Sequence, residues 1–268
     1  MNEDLNLLEP WKPAPIEDGQ TLYWQIGPLN LWVSRCGHEW LVTSREDPED
    51  EETVVTAGAE QVPKELEWRR WAGGEEANVV QLVPVTPTRP VVVRPRHPLA
   101  FPPGSDGIFY ARIPVWVRIT VGENQAVTLC EIPTLTLSNT WFGVDTTEGE
   151  LCYAMKSAAR ADLKEVPPAP HRAVCTLTLK NGAENPLDFQ RLCIRCEHLT
   201  IYGISGQLWS SQVALTYHGE GSESRVRYLE GQLQKREGAV VLSPPRTPVS
   251  GSLFAKSFAG LARLRRLI

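Results

Sequence analysis

The segment FYARIPVWVRITV, residues 109–121, indicates the fold class of this chain. Its odd-numbered residues, from Phe109 to Val121, are all apolar and alternate with residues of more polar or larger side chains. This period of two is typical of a half-buried β-strand. Pro114 interrupts the pattern, and a proline inside a strand indicates a sheet edge or a bulge. The segment therefore predicts one long strand, at an edge or with a bulge, in a mostly β protein.

Short aromatic or β-branched runs lie on both sides of this segment, separated by turn residues. The chain has 22 prolines and 20 glycines among 268 residues, which divides it into many short elements. The pattern predicts two β-sandwich-like domains and a C-terminal amphipathic helix. The predicted divisions are an extended arm (1–20) anchored by Trp11, an N-terminal β-rich domain (21–100), a C-terminal β-sandwich domain (101–245), and a proline hinge with the basic helix (246–268). One further short helix is predicted at Val62–Ala72.

Composition excludes several functions. The formal net charge of -5 argues against broad electrostatic binding of nucleic acid. The chain has no apolar run long enough to span a membrane, and residues 1–10 are acidic and lack the apolar core of a signal peptide. Without such a signal, the six cysteines are expected to be reduced thiols. We therefore expect a cytoplasmic protein.

The stretch EIPTLTLSNTWFGVDTTEGELCYAM, residues 131–155, concentrates aromatic residues, acids and glycines. Trp141 and Phe142 are candidate anchors for a partner protein, because aromatic side chains bury large areas on binding. Asp145, Glu148 and Glu150 offer a second interpretation, which is a carbohydrate site or a glycosidase carboxylate pair with Trp141 or Trp116 stacked on the sugar. Acids in a turn are more often simply solvated.

The spacing Cys193-x-x-Cys196-x-His198 is the most metal-like motif in the chain, with Cys175 and His171 upstream as further ligands. The signal is weak, because an extended strand would place Cys193 and Cys196 on opposite faces. The alternative is buried cysteines with a β-bulge near Glu197. We therefore predict no metal and no cofactor.

The segment SLFAKSFAGLARLRRLI, residues 252–268, has apolar residues at helical spacing and carries basic residues without acids. The predicted helix has three interpretations: it packs on the body, docks on another protein, or lies on an anionic membrane surface at the inner face of the cell membrane. Its candidate contact residues are Phe254, Phe258, Leu261, Arg263, Leu264, Arg265 and Arg266.

Catalytic fingerprints are missing from the sequence. There is no G-x-S-x-G nucleophile elbow, no Walker A motif and no dinucleotide-binding G-x-G-x-x-G motif. The chain is therefore predicted to be a non-enzymatic protein.

Four segments resemble an uncharacterised family of prokaryotic proteins that is classed as a domain of unknown function. They are IPVWV (113–117), LSNTWFG (137–143), EGELCYA (148–154) and AVCTLTLKN (173–181), and the resemblance covers roughly residues 90–220. It implies an association with small-conductance mechanosensitive channels, as neighbours or accessory partners, and implies no catalytic residue. The leading prediction is a non-enzymatic binding or accessory subunit that docks on a partner protein, with such a channel as the candidate. The alternative is a carbohydrate-binding protein or glycan-active enzyme that uses the loop 138–150.

Overall fold

The fold is built almost entirely from short β-strands. A computed structural model describes residues 7–47, 54–58 (backbone only), 64–72, 77–125, 127–143, 147–155, 158–219, 222–229, 233, 235–255 and 257–258. The 3-10 helices lie at Glu9–Trp11, Glu123–Gln125, Leu163–Glu165 and Cys196–His198. The strands are β1 (Ala14–Pro15), β2 (Thr21–Ile26), β3 (Leu29–Cys36), β4 (Glu39–Glu46), β5 (Val54–Gly58), β6 (Arg69–Ala72), β7 (Val79–Val85), β8 (Val91–Val93), β9 (Leu99–Phe101), β10 (Asp106–Pro114), β11 (Trp116–Val121), β12 (Val127–Pro133), β13 (Asn139–Gly143), β14 (Gly149–Ala154), β15 (Arg172–Asn181), β16 (Leu187–Phe189), β17 (Leu192–Ile194), β18 (Ile201–Ile204), β19 (Gln207–Ser210), β20 (Gln212–Tyr217), β21 (Ser224–Leu229), β22 (Val240–Ser243) and β23 (Ser252–Ala255).

The strands form four sheets of four or more strands and one pair. The N-terminal sheet has the order β5-β2-β3-β4-β6, and the bridging sheet has the order β1-β7-β11-β12. The large sheet has the order β22-β18-β19-β15-β20-β21-β23, with β10 also paired to β15. The hairpin sheet has the order β13-β14-β8-β17, and β16 pairs with β9. The prediction of a mostly β protein is confirmed.

Two large hydrophobic cores lie between these sheets. The first core contains buried residues of the N-terminal and bridging sheets, together with Trp11, which is buried there as expected. The second core contains residues of the large sheet, the hairpin sheet and the β16-β9 pair, including Phe109, Leu177 and Phe189. Apolar sheet faces thus pack against one another around these cores, which is the basis of layered β-architectures.

The segment 109–121 forms two strands rather than the predicted single one. β10 pairs with β15 in the large sheet, whereas β11 pairs with β7 and β12 in the bridging sheet. Val115, between them, donates its N–H to the His171 carbonyl at 2.9 Å and accepts from the Thr134 hydroxyl at 2.6 Å. Pro114 ends β10, whose one strand partner among the described residues is β15, so the expected edge position is confirmed and no bulge occurs there. The chain changes sheets at this point, and the Val115 backbone groups stay hydrogen-bonded.

The predicted short helix at Val62–Ala72 is wrong over its described part. Arg69–Ala72 is a strand that pairs with β4 and places Trp71 opposite Trp40. Trp71 packs against the first core, and the Arg69 and Arg70 side chains are exposed. Pairing with the edge of β4 and packing of the Trp71 indole against the first core therefore outweigh the weak helix preference of this segment.

The predicted C-terminal amphipathic helix is also wrong where the structure describes it. Ser252–Ala255 is β23, which pairs antiparallel with β21. Phe254 is 61% exposed, whereas Phe258 packs into the second core against Phe189 and Tyr217. The two phenylalanines do not share one stripe, because β23 ends at Ala255 and Phe258 lies beyond it. Leu261, Arg263, Leu264, Arg265 and Arg266 lie outside the described residues.

No helix in the described part of the chain is both long and apolar enough to cross a bilayer.

A buried histidine supports the change of sheets at Val115. His171 is fully buried, its Nε2 accepts from Arg172 Nε at 2.9 Å, and its Nδ1 is buried without a hydrogen-bond partner. Burial, and next the charges of Arg172 and Arg112, lower the His171 pKa to about 3.

This histidine should make stability depend on pH. Between the pKa of about 6.5 in the unfolded chain and the pKa of about 3 in the folded chain, the unfolded chain binds a proton at His171 that the folded chain does not bind. The free energy of unfolding therefore falls by up to about 1.4 kcal/mol for each unit by which the pH is lowered. Urea unfolding at pH 7.5 and pH 5 should show a loss about 2 kcal/mol larger for the wild type than for His171→Gln. The control is His38→Gln, because His38 is exposed. Equal losses for the wild type and His171→Gln would contradict this assignment.

A second polar cluster ties the segment after β22 to the bridging sheet. Arg246 donates to both Glu131 carboxylate oxygens at 2.6 and 3.2 Å and to the Thr86 carbonyl at 2.8 Å. Arg118 donates to Glu131 at 2.8 Å. Burial would raise the Glu131 pKa, but the hydrogen bonds and charges of Arg246 and Arg118 outweigh it and lower the pKa.

Arg246→Ala should therefore destabilise the protein by about 1.5–3 kcal/mol at pH 7, because it removes charge-assisted hydrogen bonds from a half-buried carboxylate. Arg70→Ala is the control, since the Arg70–Glu39 pair is exposed and worth roughly 0–1 kcal/mol. Because the folded Glu131 pKa is lowered, the contribution should be present above its ordinary value and lost as the pH falls below it. Denaturant unfolding at pH 7, and again below the ordinary pKa of Glu131, measures this contribution. Similar losses of stability for Arg246→Ala and Arg70→Ala at pH 7 would exclude the anchoring role.

Candidate functional site

The hairpin β13–β14 lies within the stretch 131–155, of which the structure describes residues 131–143 and 147–155. It pairs Asn139 with Tyr153 at one end and Gly143 with Gly149 at the other. β14 continues into the hairpin sheet by pairing parallel to β8, and β8 pairs antiparallel to β17. Asp145 lies outside the described residues.

The hairpin sheet curls so that its two ends approach each other. Arg191, just before β17, donates to the Trp141 carbonyl on β13 at 2.8 Å and lies 5.5 Å above the Phe142 ring. β13 and β17 are the outer strands of this sheet, so these contacts join its two edges. Burial, and next the charge of Arg94, lower the Arg191 pKa, whereas Cys152 and Cys193 raise it.

The inner face of the curled sheet carries two cysteines in a small apolar cluster. Cys152 on β14 and Cys193 on β17 pack there with Val92 and Phe142. The two sulfur atoms are 3.8 Å apart, and both side chains are buried. The hydrogen bond between the two thiols lowers the pKa of Cys152, and the same bond, with burial, raises the pKa of Cys193.

A carboxylate and a guanidinium complete this inner face. Glu150 lies two residues before Cys152 on β14, and a strand directs such residues to one face. Its Oε1 atom is 3.6 Å from Cys193 Sγ and accepts from Arg195, which follows β17. The Glu150 side chain is 33% exposed, so the site opens to solvent at this end and is buried at the sulfur end.

The outer face of the hairpin presents an apolar pair to solvent. Trp141 and Leu151 are cross-strand partners and are 42% and 44% exposed. The indole lies over Gly149, where an added Cβ would be 2.7 Å from its ring atoms. Next on this face is Tyr153, whose ring centroid is 6.3 Å from that of Trp116. We call Trp116, Trp141, Leu151 and Tyr153 the aromatic strip.

The residues predicted for partner and ligand binding separate between the two faces. Trp141 belongs to the outer face, whereas Phe142 is buried on the inner face. Glu150 also lies on the inner face, so a sugar stacked on Trp141 would not face its carboxylate. Glu148 is exposed beside the turn.

The sequence motif Cys193-x-x-Cys196-x-His198 is split by the fold. Cys196 is buried in the second core, and His198 Nδ1 lies 2.7 Å from the Thr247 carbonyl oxygen. The strand breaks at a 3-10 turn, Cys196–His198, where a bulge was predicted. Within the described ranges, the group of metal-ligand atoms that lie within 4.8 Å of one another is Glu150, Cys152 and Cys193.

Sequence reasoning missed the partner of Cys193, which is Cys152. The period of two in Glu150-x-Cys152 and in Arg191-x-Cys193-x-Arg195 indicates that the residues of each segment share one strand face. The sequence does not show that β14 and β17 both pair with β8, which brings the two faces together.

A model of a family described as "Protein of unknown function (DUF432)" matches residues 10–263. The chain belongs to this family. The expected membership of an uncharacterised family is thus confirmed, and the match extends well beyond residues 90–220. No curated protein and no solved structure shows significant similarity to this DUF432 protein. The channel association stays a prediction from the resemblance.

The tip of the hairpin should tolerate no side chain at Gly143. A Cβ there would lie 2.1 Å from the Glu148 carbonyl oxygen and 2.6 Å from the Gly149 Cα. Because these atoms are backbone, Gly143→Ala should distort the hairpin at a cost of about 1–3 kcal/mol.

Hydrogen exchange of the hairpin amides and denaturant unfolding measure this effect. Gly182→Ala is the control, since its Cβ would meet its nearest atoms at 3.1 Å. If both variants behaved alike, the close approach at Gly143 would be wrong.

Proposed function

We propose that this protein is a non-enzymatic binding protein that captures a partner protein on the aromatic strip. The observation that carries the proposal is the exposed Trp141–Leu151 pair on the outer face of the hairpin. Aromatic residues that are exposed in the free protein and buried on binding supply much of the energy of protein interfaces.

The strip is held in place before any partner arrives. The Trp141 indole lies over Gly149. The backbone carbonyl of Trp141 accepts a hydrogen bond from the Arg191 guanidinium at 2.8 Å. The curled sheet packs beneath it through Phe142 and Cys152. A rigid anchor loses little conformational entropy on binding, which favours affinity.

Charge next to the strip defines the chemistry of the partner. The Arg89 guanidinium lies 5.6 Å above the Tyr153 ring and donates to the Asn139 side chain at 3.0 Å. Neither of these two partners carries a charge that would neutralise Arg89. Arg246, by contrast, lies over Trp116 and is neutralised by Glu131. A partner segment fits this surface if it places an apolar side chain against Trp141 and Leu151 and a carboxylate beside Arg89.

The resemblance supplies one named class of partner, the small-conductance mechanosensitive channels. The strip requires an exposed apolar-acidic segment, and a channel of this class is a candidate if it presents one.

The test begins with capture from cells of the source organism. The crosslinkable residue benzoylphenylalanine at position 151 would record contact with the strip, and mass spectrometry would identify the captured protein. The wild type is compared with Trp141→Ser and with the control Val240→Ser, which removes another exposed apolar side chain on the edge strand β22. We expect capture to be lost with Trp141→Ser and kept with Val240→Ser.

The identified protein is then purified and titrated. Trp141→Ser should weaken binding about 30-fold, which corresponds to a hot spot of about 2 kcal/mol. Arg89→Glu should weaken it at low salt, because it reverses the charge beside the strip. Capture that is indifferent to Trp141, or a glycan bound at Trp141 in place of a protein, would overturn the proposal.

A further inference from the structure

We propose that Glu150, Cys152 and Cys193 form a binding site for a thiophilic divalent metal ion, zinc in the first instance. The site lies on the inner face of the hairpin sheet and is independent of partner binding on the aromatic strip. Its three ligand atoms are Glu150 Oε1, Cys152 Sγ and Cys193 Sγ.

The spacing of these atoms matches a tetrahedral zinc site. Zinc–sulfur bonds of about 2.3 Å and zinc–oxygen bonds of about 2.0–2.2 Å, at tetrahedral angles, place two sulfurs about 3.8 Å apart and a sulfur and an oxygen about 3.6 Å apart. The Cys152–Cys193 sulfur separation is 3.8 Å, and the Cys193 sulfur lies 3.6 Å from Glu150 Oε1. All three atoms lie within 4.8 Å of one another. An ion therefore fits with little movement of the ligands.

A disulfide explains the same pair less well. A disulfide bond requires the sulfurs to be about 2.05 Å apart with a fixed geometry. The observed 3.8 Å would have to shorten, and the two cysteines lie on strands that β8 separates. A metal ion joins the sulfurs at the distance that the fold already provides.

The surrounding charges suit a cation at this position. Two thiolates and one carboxylate carry three negative charges, which a divalent ion and the Arg195 guanidinium neutralise together. Arg195 donates to Glu150 Oε1 and would orient that ligand, as hydrogen-bonding groups around metal ligands commonly do. Val92 and Phe142 exclude water from the sulfur end.

The ligand types select the ion class. Thiolates favour zinc and other soft or borderline ions over magnesium and calcium, which prefer oxygen ligands. Three protein ligands leave one tetrahedral position for water or another donor. The ion would fasten β14 to β17 and so brace the hairpin sheet from within.

The experiment titrates the metal-free, reduced full-length protein with Co²⁺, a spectroscopic substitute for zinc. We expect one equivalent of Co²⁺ to give a thiolate charge-transfer band together with the visible bands of tetrahedral cobalt, and one equivalent of Zn²⁺ to remove both. A titration without a thiolate band, or a purely octahedral spectrum, would overturn the site.

Two cysteine variants separate this site from the motif that the sequence suggests. Cys152→Ser should abolish the thiolate band, whereas Cys196→Ser, in the second core, should retain it. The reverse result would assign the metal to Cys193, Cys196 and His198 and would overturn the proposal. Cys36→Ser, which removes an exposed cysteine, is the control for adventitious binding.

A conservative variant decides the question if the cysteine variants fail to fold. Glu150→Gln changes one partly exposed atom, and it should keep the fold while weakening Co²⁺ binding at least tenfold. Arg195→Gln should weaken it about 10-fold or more through the orientation of Glu150. Unchanged affinity in Glu150→Gln would remove the carboxylate from the ligand set and overturn the site as proposed.

Discussion

The change of sheets between Pro114 and Val115 is the constraint on which the rest of this structure depends. Seven alternate residues of the segment 109–121 are buried in a core. Phe109, Ala111 and Ile113 lie in the second core, whereas Val115 and the alternate residues after it lie in the first. One continuous alternation of apolar residues therefore contributes side chains to two hydrophobic cores. The change of sheets is possible because the Val115 backbone has hydrogen-bond partners in His171, just before β15, and Thr134, just after β12.

Much of the strand arrangement could be predicted from the sequence, because short strands with one buried face leave a clear period of two. Extended structure was expected over residues 109–121, and β10 and β11 together cover that segment except for Val115. The alternation could not show that residues 109–121 divide between two sheets, since both halves bury the same parity of side chains. It also could not show which strands become neighbours, and that pairing decides the environment of every inner-face residue.

The failures have a common physical cause. Both segments expected to be helical, Val62–Ala72 and Ser252–Ile268, have described parts that pair with an edge of a sheet. An edge offers backbone hydrogen bonds and apolar contacts that exceed the weak preference of a short helix. The same limit applies to the cluster of Glu150, Cys152 and Cys193, where residues about forty positions apart meet only because the hairpin sheet curls.

The position of β17 also affects the order in which the protein can be completed during synthesis. One edge of β17 pairs with β8, but on the other side the Cys193 N–H donates to the Ser257 carbonyl at 3.0 Å and Leu192 bridges to Phe258. The ribosome makes Phe258 long after the hairpin β13–β14 and the strand β8. The nascent chain therefore leaves this backbone edge of β17 without its partners until residues 257–258 have been made.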